Sequence, residues 1–173
     1  MAKINDIAPF SDEDKLVAGL AEALALACGL NSDTAKLISD AAALHDVGKI
    51  RVSKHIIFKP GRLSPDEFDV MKMHTVWGAK ILSDLHGELR IIAMNVSAFH
   101  HEKWDGTGYW GFRGDEFPYY CQIVSACDIY YALTMPRPYK EPWSQIEALD
   151  YIKNESDRTF CPNIVKAFQS LFA

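Results

Sequence analysis

Apolar residues recur along much of the chain at spacings of three and four positions, which is the period of one face of an α-helix. Leu16, Leu20 and Leu24 follow this spacing directly after SDED at 11–14, a stretch that resembles a capping box. Gly29 then supplies a helix stop signal. The pattern predicts a first helix with these leucines as its apolar stripe.

The second predicted helix brings a histidine onto an apolar face. It begins at Asn31 or Ser32, and Gly48 weakens or ends it. One face of this helix carries four residues at helical spacing: Leu37, Ala41, Leu44 and His45. His45 is therefore expected to point inward.

Two further helices place histidines in the same way. Ser64, Pro65 and Glu67 form a strong start signal of N-cap, first-turn proline and capping box. The stripe of that helix consists of Met71, His74, Gly78, Ile81, Leu82 and Leu85. A helix over about 88–101 follows, with these residues on one side: Leu89, Ala93, Val96 and His100.

The rest of the chain continues this helical pattern. Residues 102–117 read as a loop rich in glycine, aspartate and aromatic residues, and a helix is predicted over 118–132. Short helices are predicted near 144–154 and 162–172. Strand alternation, repeats and interdomain linkers are not apparent. We expect one all-α domain over 1–173, a bundle of roughly six to seven helices, without a sensory or receiver domain.

Composition and charge narrow the function. The chain has 173 residues, 49% of them hydrophobic, and a net charge of -5. That charge disfavours binding to duplex DNA or to an anionic membrane. The sequence has neither an apolar run long enough to span a membrane nor an apolar stretch of signal-peptide length near its start, so a cytoplasmic location is expected.

Six polar residues with metal-binding side chains fall on the inner sides of four predicted helices or at their ends: His45, Asp46, His74, His100, His101 and Asp128. A lone histidine on an apolar stripe is usually a hydrogen-bonded core residue, and Asp128 could form a salt bridge. Together the six suit a centre of Fe, Mn, Ni, Zn or Co. They exceed the needs of one open ion and suit two ions that share a carboxylate, for which Asp46 is the natural candidate.

Lys49 adds a cation to this set. It lies three residues after Asp46 and four after His45, so its side chain can reach both on a helix. It is either a solvated lysine at a helix end or a group that stabilises phosphate charge or donates a proton.

Several of these residues lie in motifs of one family. HDVGK at 45–49, the KPG loop at 59–61, His74, HHEKWDGTGY at 100–109 and RPYK at 137–140 resemble the HD-GYP domain family, a branch of the HD phosphohydrolase superfamily. The resemblance covers about residues 13–170.

The resemblance implies a function and a role for each residue. The family is all-helical, binds two or three metals, commonly Fe or Mn, and hydrolyses cyclic dinucleotides, chiefly cyclic di-GMP to pGpG or GMP, by hydroxide attack on phosphorus. Lys49 matches the catalytic-site lysine, Arg137 and Lys140 match the phosphate-binding pair, and Tyr109 matches the tyrosine that lines the substrate site. Its metal ligands match His45, Asp46, His74, His100, His101 and Asp128.

The chain departs from the family pattern at three places. Glu13 stands where the family usually has a histidine ligand, and is either a replacement ligand or a first-turn acid. Pro9 and Tyr131 stand where members with three metals have carboxylates, so two divalent ions are expected. The GYP motif reads GYW at 108–110, which puts contacts of that loop in question, including those with diguanylate cyclase partners.

These departures leave alternatives open. The domain is expected to be a metal-dependent phosphodiesterase for cyclic di-GMP. It is otherwise a hydrolase of another nucleotide, or a weakly active or inactive module that binds metal, nucleotide or a protein partner, including a sensor or receiver.

Overall fold

The computed structural model describes residues 11–136 and 141–173. These residues form an all-α bundle, as predicted, and their only bridge of β type joins Ser156 and Phe160. The elements in chain order are α1 (Asp12–Ala27), α2 (Ser32–Ala42), a 3-10 helix (Val47–Arg51), α3 (Lys54–Ile57), α4 (Pro65–Leu82), α5 (Gly87–Phe99), a second 3-10 helix (Gly114–Glu116), α6 (Tyr119–Thr134), α7 (Gln145–Asn154) and α8 (Pro162–Ser170).

Local signals explain several helix starts. Ser11, Ser64 and Ser144 each cap a helix with a complete capping box, and Pro65 occupies the first turn of α4. Side chains that accept from free backbone N–H groups satisfy donors that the helix itself leaves unpaired. The prediction for α4 is confirmed in its cap, and the fold adds the single-turn helix α3, which the apolar pattern does not show.

The apolar stripe predicted for α1 is wrong at Leu16, which is 54% exposed. The buried stripe instead runs through Val17, Ala21 and Leu24. Residues exactly four apart advance by about 40° around a helix of 3.6 residues per turn, so a strict spacing of four drifts off the buried face. Alternating steps of four and three, as in the buried stripe, stay on it.

Small residues let the central helices approach closely. Alanines are buried where α1, α2 and α5 pack together, including Ala21, Ala35, Ala42 and Ala93. The core around them is filled by larger apolar residues from α1, α2, α6 and α8, among them Leu24, Ile38, Ile123 and Phe168. No helix within the described ranges is long and apolar enough to cross a membrane.

The predicted second helix is wrong at its C-terminal end. The α-helix stops at Ala42, and His45 and Asp46 lie in a turn that leads into the 3-10 helix Val47–Arg51. His45 is nevertheless buried, as predicted. The change of helix type brings Gly48 against the backbone of α4, a tertiary contact that an unbroken helix does not provide.

Candidate metal centre

The histidines converge from three separate elements. His45 and Asp46 lie in the turn after α2, His74 lies in the middle of α4, and His100 is the C-cap of α5 with His101 directly after it. His45, His74 and His100 are almost completely buried. Buried imidazoles from distant parts of the chain need polar partners, and here they share one.

That partner is Asp46. Its Oδ1 lies 3.2 Å from Nε2 of His74 and 3.7 Å from Nε2 of His100, and the two Nε2 atoms are 3.3 Å apart. Together with His101, these side chains each offer a ligand atom within 4.8 Å of the others. This group, His74, His100, His101 and Asp46, is the first ligand group.

The other carboxylate oxygen faces different residues. Oδ2 of Asp46 lies 3.3 Å from Nε2 of His45, which is itself 3.8 Å from Oδ1 of Asp128 on α6. His45, Asp128 and Oδ2 of Asp46 form the second ligand group. One carboxylate therefore presents one oxygen to each group, which is the arrangement expected of a bridge between two ions.

Backbone carbonyls orient the three buried imidazoles. Nδ1 of His45 lies 2.7 Å from the carbonyl oxygen of Ala42, and Nδ1 of His74 lies 2.7 Å from that of Met71. Nδ1 of His100 is 3.0 Å from the carbonyl oxygen of Val96. A carbonyl only accepts, so each Nδ1 carries a proton, and each Nε2 faces Asp46. Metal-bound histidines are commonly oriented in this way.

The electrostatics also suit a cation. Burial raises the pKa of Asp46, but the charge of His45 and the ring nitrogens of His100, His45 and His74 lower it further, so that its pKa falls well below the usual range. Burial and neighbouring imidazoles lower the pKa of His101, and burial is the main cause of the lowered pKa of His100. In the first ligand group, an ionised Asp46 beside neutral His100 and His101 is the protonation state that binds metal.

The second group attracts positive charge as well. Burial lowers the pKa of His45, but the charge and hydrogen bond of Asp46 and the charge of Asp128 raise it to about 10 overall. Oδ1 of Asp46 is buried and accepts no hydrogen bond of normal geometry from the described residues. An unpaired buried carboxylate oxygen surrounded by imidazole nitrogens fits a metal ligand, so the residues present fit divalent ions.

A contact between small residues holds the three elements together. A Cβ added at Gly48 would lie 1.9 Å from the carbonyl oxygen of His74 and 2.5 Å from the backbone nitrogen of Gly78. A Cβ at Gly78 would lie 2.1 Å from Oγ of Ser97, and that hydroxyl donates a hydrogen bond to the carbonyl oxygen of His45. The two glycines thus allow the turn, α4 and α5 to meet at the distance that brings the imidazoles together.

The other sequence-predicted site residues are placed differently. Lys49 forms an ion pair with Oδ2 of Asp46, next to the second group. The ring of Tyr109 lies 4.4 Å from the ring of His101, and burial, with the charges of Asp46 and Asp128, raises the tyrosine pKa to about 12. Glu13 is exposed in the first turn of α1 and does not join the ligand groups. Arg137 and Lys140 lie outside the described residues.

The pattern of the sequence did not single out Glu102, which organises the loop over the site. This carboxylate is buried, and its two oxygens accept from the backbone N–H groups of Trp110 at 2.8 Å and Phe112 at 3.0 Å. The indole N–H of Trp110 also donates to Oγ1 of Thr75 on α4, at 3.1 Å. The altered GYW motif is therefore anchored at both its backbone and its tryptophan.

Glycine permits the close approach that this loop requires. A Cβ at Gly108 would lie 2.5 Å from Cα of Glu102 and 2.8 Å from the carbonyl oxygen of His101. The loop thus folds back directly onto the histidine pair, and Tyr109 follows at the point of contact. The sequence signal for Glu102 was its position, an acid directly after a histidine pair in a glycine-rich loop. The sequence did not indicate that this acid is buried.

A cavity of about 310 Å³ opens beside the first ligand group. Its walls come from α4, from the histidine pair and the loop that follows it, and from α6. The lining residues are Phe68, Lys72, His100, His101, Glu102, Lys103, Thr107, Gly108, Tyr109, Ser125 and Ile129. The candidate ligands are therefore accessible to a small molecule.

Several known proteins are similar to this chain in sequence, and solved structures are similar to it in fold. Cyclic di-GMP phosphodiesterase of Thermotoga maritima is 40% identical over 135 residues, which are 78% of this chain and 37% of that protein. The 3'3'-cGAMP-specific phosphodiesterase 2 of Vibrio cholerae is 36% identical over 151 residues, 87% of this chain and 29% of that protein. The response regulator RpfG of Xanthomonas campestris, a cyclic di-GMP phosphodiesterase, is 38% identical over 152 residues, 87% of this chain and 39% of that protein.

Two solved structures show the same fold at low sequence identity. Bd1817 of Bdellovibrio bacteriovorus, an HD-GYP-type protein, matches with a TM-score of 0.73 and 20% identity over 99% of this chain and 54% of its own. The PgpH HD domain of L. monocytogenes with cyclic di-AMP matches with a TM-score of 0.58 and 21% identity over 91% of this chain and 85% of its own.

The chain spans less than two fifths of the length of each of these three sequence relatives. The profile of the HD domain family nevertheless matches residues 4–164, nearly the whole chain. The match contains the HD pair, His45 and Asp46, and leads to one assignment: the chain belongs to the HD domain family.

Proposed function

We propose that this domain is a metal-dependent phosphodiesterase that hydrolyses cyclic di-GMP to pGpG or GMP with two divalent ions, Fe or Mn. The observation that carries the proposal is Asp46, whose two oxygens face two different ligand groups. The names of the relatives from T. maritima and X. campestris support the substrate.

The proposed ligands divide between the two groups. One ion would be held by Oδ1 of Asp46 with three histidines, and the other by Oδ2 of Asp46 with His45 and Asp128. Bound divalent ions lower the pKa of water toward neutrality and offset the charge of a phosphate. The donors are all nitrogen and oxygen, which favours Fe or Mn and is compatible with Ni, Zn or Co.

The protein's own side chains would orient and stabilise the substrate. Lys49 carries its ammonium beside Asp46, where it can stabilise charge on a phosphate oxygen or donate a proton to the leaving 3′-oxygen. The raised pKa of Tyr109 keeps its phenol neutral and able to donate a hydrogen bond. Arg137 and Lys140 remain proposed phosphate-binding residues, through the pairing of their positive charges with phosphate.

A mixed cyclic dinucleotide is the second candidate substrate. The V. cholerae relative, whose match covers 87% of this chain, is named for 3'3'-cGAMP. Control by a sensor or receiver is proposed as well, because the X. campestris relative is named a response regulator.

The test is turnover by protein reconstituted anaerobically with Fe(II) or Mn(II), with metal counted on the same sample. We expect steady formation of pGpG or GMP from cyclic di-GMP with two ions per chain. Asp46→Ala should lose both turnover and metal, whereas Asp150→Ala, an exposed acid on α7, should lose neither.

Each other outcome has a defined meaning. Turnover of 3'3'-cGAMP alone would replace the substrate and keep the enzyme class. Two bound ions without turnover of either nucleotide would refute hydrolysis and leave a binding module. Three tightly held ions would refute the two-ion centre.

A further inference from the structure

The cavity beside the first ligand group joins the metal ligands to a cation and an aromatic wall. Lys72 and Phe68, one helical turn apart on α4, line the same cavity as His100 and His101. Tyr109 closes another part of it, with its ring 5.6 Å from the ring of Phe68 in an edge-on arrangement. A volume of about 310 Å³ is at the small end of ligand sites, so the cavity suits one part of a cyclic dinucleotide.

Aromatic rings hold the ammonium of Lys72 at this wall. Its Nζ lies 5.6 Å from the ring centre of Phe68 and 5.9 Å from that of Trp110. Both residues are partly exposed, 43% for Phe68 and 41% for Trp110, so part of each aromatic side chain can contact a ligand that binds beside Lys72. Trp110 is itself fixed by its hydrogen bond to Thr75, so the arrangement is already in place before a ligand binds.

The ion pair of Lys72 is of a kind that a ligand can replace. Nζ lies 2.7 Å from Oδ1 of Asp69, whose side chain is 70% exposed. Ion pairs with an exposed partner contribute little to stability, because water solvates the charges almost as well. Asp69 therefore positions the ammonium without holding it against a stronger acceptor.

A hydrogen-bond donor next to aromatic faces has the composition of a nucleobase site. Stacking supplies binding energy for any base, and donors or acceptors at the base edge select among bases. An ammonium only donates, so it matches O6 and N7 of guanine, whereas the N6 amino group of adenine also donates and is a poor partner.

We propose that Lys72, with Phe68 and Trp110, forms a guanine-binding subsite that makes the domain prefer guanine-containing cyclic dinucleotides. This inference rests on the proposed function and names its base specificity. Lys72 acts as a specificity-determining residue that binds the base, and the cleavage chemistry stays with the metal ligands and Lys49.

The test compares substrates that differ in their bases. Wild-type protein, Lys72→Met, Lys103→Met and Lys80→Met are assayed with cyclic di-GMP, cyclic di-AMP and bis(p-nitrophenyl) phosphate, which has no base. Lys103 lines the same cavity, and Lys80 is an exposed lysine on the same helix outside it. Methionine keeps the apolar stem beside the rings and removes the donor.

We expect Lys72→Met to lower kcat/KM for cyclic di-GMP by about 10- to 100-fold, mainly by raising KM. A loss of this size corresponds to one lost contact to a base edge. Cyclic di-AMP should lose much less, bis(p-nitrophenyl) phosphate and the bound metal should not change, and Lys80→Met should match wild type.

Three results would overturn the subsite. Equal losses for both cyclic dinucleotides, or an equal loss in Lys103→Met, would mean general attraction of phosphate. No loss in Lys72→Met would mean a surface lysine paired with Asp69.

Failure of the proposed function gives a different pattern, because the wild type would then cleave none of the three compounds. Calorimetric binding of cyclic di-GMP and cyclic di-AMP to the metal-loaded protein then decides the subsite. A selective loss of cyclic di-GMP affinity in Lys72→Met supports it, and an absence of selective binding in wild type refutes it.

Discussion

Gly48→Ala should disrupt the metal centre without touching a ligand. The added methyl would lie 1.9 Å from the carbonyl oxygen of His74 and 2.5 Å from the nitrogen of Gly78, and Cβ contacts under 3.0 Å are essentially never observed. Both neighbours are backbone atoms of α4, so no side chain can rotate away. The 3-10 helix and α4 must separate by more than 1 Å at the point from which His74 projects.

The size of the effect follows from that displacement. Inserting a methylene into a packed interior costs about 1–3 kcal/mol, and we expect the upper end here because only backbone can yield. A misplacement of about 1 Å at a reacting centre can reduce the rate by about 100-fold. Urea denaturation with a chelator present measures the packing cost alone, and metal counting with turnover measures the effect on the centre.

Gly19→Ala is the matched control. Gly19 lies within α1, and nothing lies within 4 Å of a Cβ built there. Alanine is favoured over glycine in a helix by about 1 kcal/mol, so this variant should be more stable than wild type. If Gly48→Ala unfolds within about 0.5 kcal/mol of wild type and binds metal normally, the close contact does not control the site.

The remaining predictions concern single side chains. Glu102→Gln should destabilise the protein by about 1–3 kcal/mol, because its amide NH2 would face one of the two backbone donors that Glu102 now satisfies. Faster hydrogen exchange at the amide of Trp110 or of Phe112 would report the loss, and unchanged exchange at both would contradict it. Lys49→Ala should lower kcat by roughly 100-fold or more with metal retained, and loss of metal would instead mean that Lys49 maintains the ligands. Glu13→Ala should keep its metal and change the free energy of unfolding by about 1 kcal/mol at most, because Glu13 is exposed; loss of one ion would establish it as a ligand.

Local signals in the sequence predicted the helices well. Capping boxes at Ser11 and Ser64 depend only on residues three apart, so they can be predicted without knowledge of the tertiary contacts. The inward position of His74 was equally predictable, because an amphipathic helix has one buried face. The convergence of His74, His100 and His101 on Asp46 agrees with the ligand set that the family resemblance implied.

Features set by tertiary contact were not predictable in the same way. The helix ends at Ala42, and Gly48 then packs on α4, a contact that a glycine in the sequence does not reveal. The burial of Glu102 was hidden for a similar reason, since polar residues in a glycine-rich loop usually face solvent. Only atomic positions show that the two oxygens of Asp46 face different ligand groups, because the sequence does not indicate where each oxygen points.

The burial of one carboxylate oxygen of Asp46, Oδ1, is itself an argument for function. Removing a carboxylate from water costs several kcal/mol unless nearby charges and hydrogen bonds offset it. Oδ2 has Lys49 and His45 as partners, but Oδ1 accepts no normal hydrogen bond from the described residues. A fold selected for stability alone would place an apolar residue or a fully paired acid at this position. The geometry around Oδ1 therefore fits a cation ligand, and the two tightly packed glycines are the structural means by which the chain holds that carboxylate among its histidines.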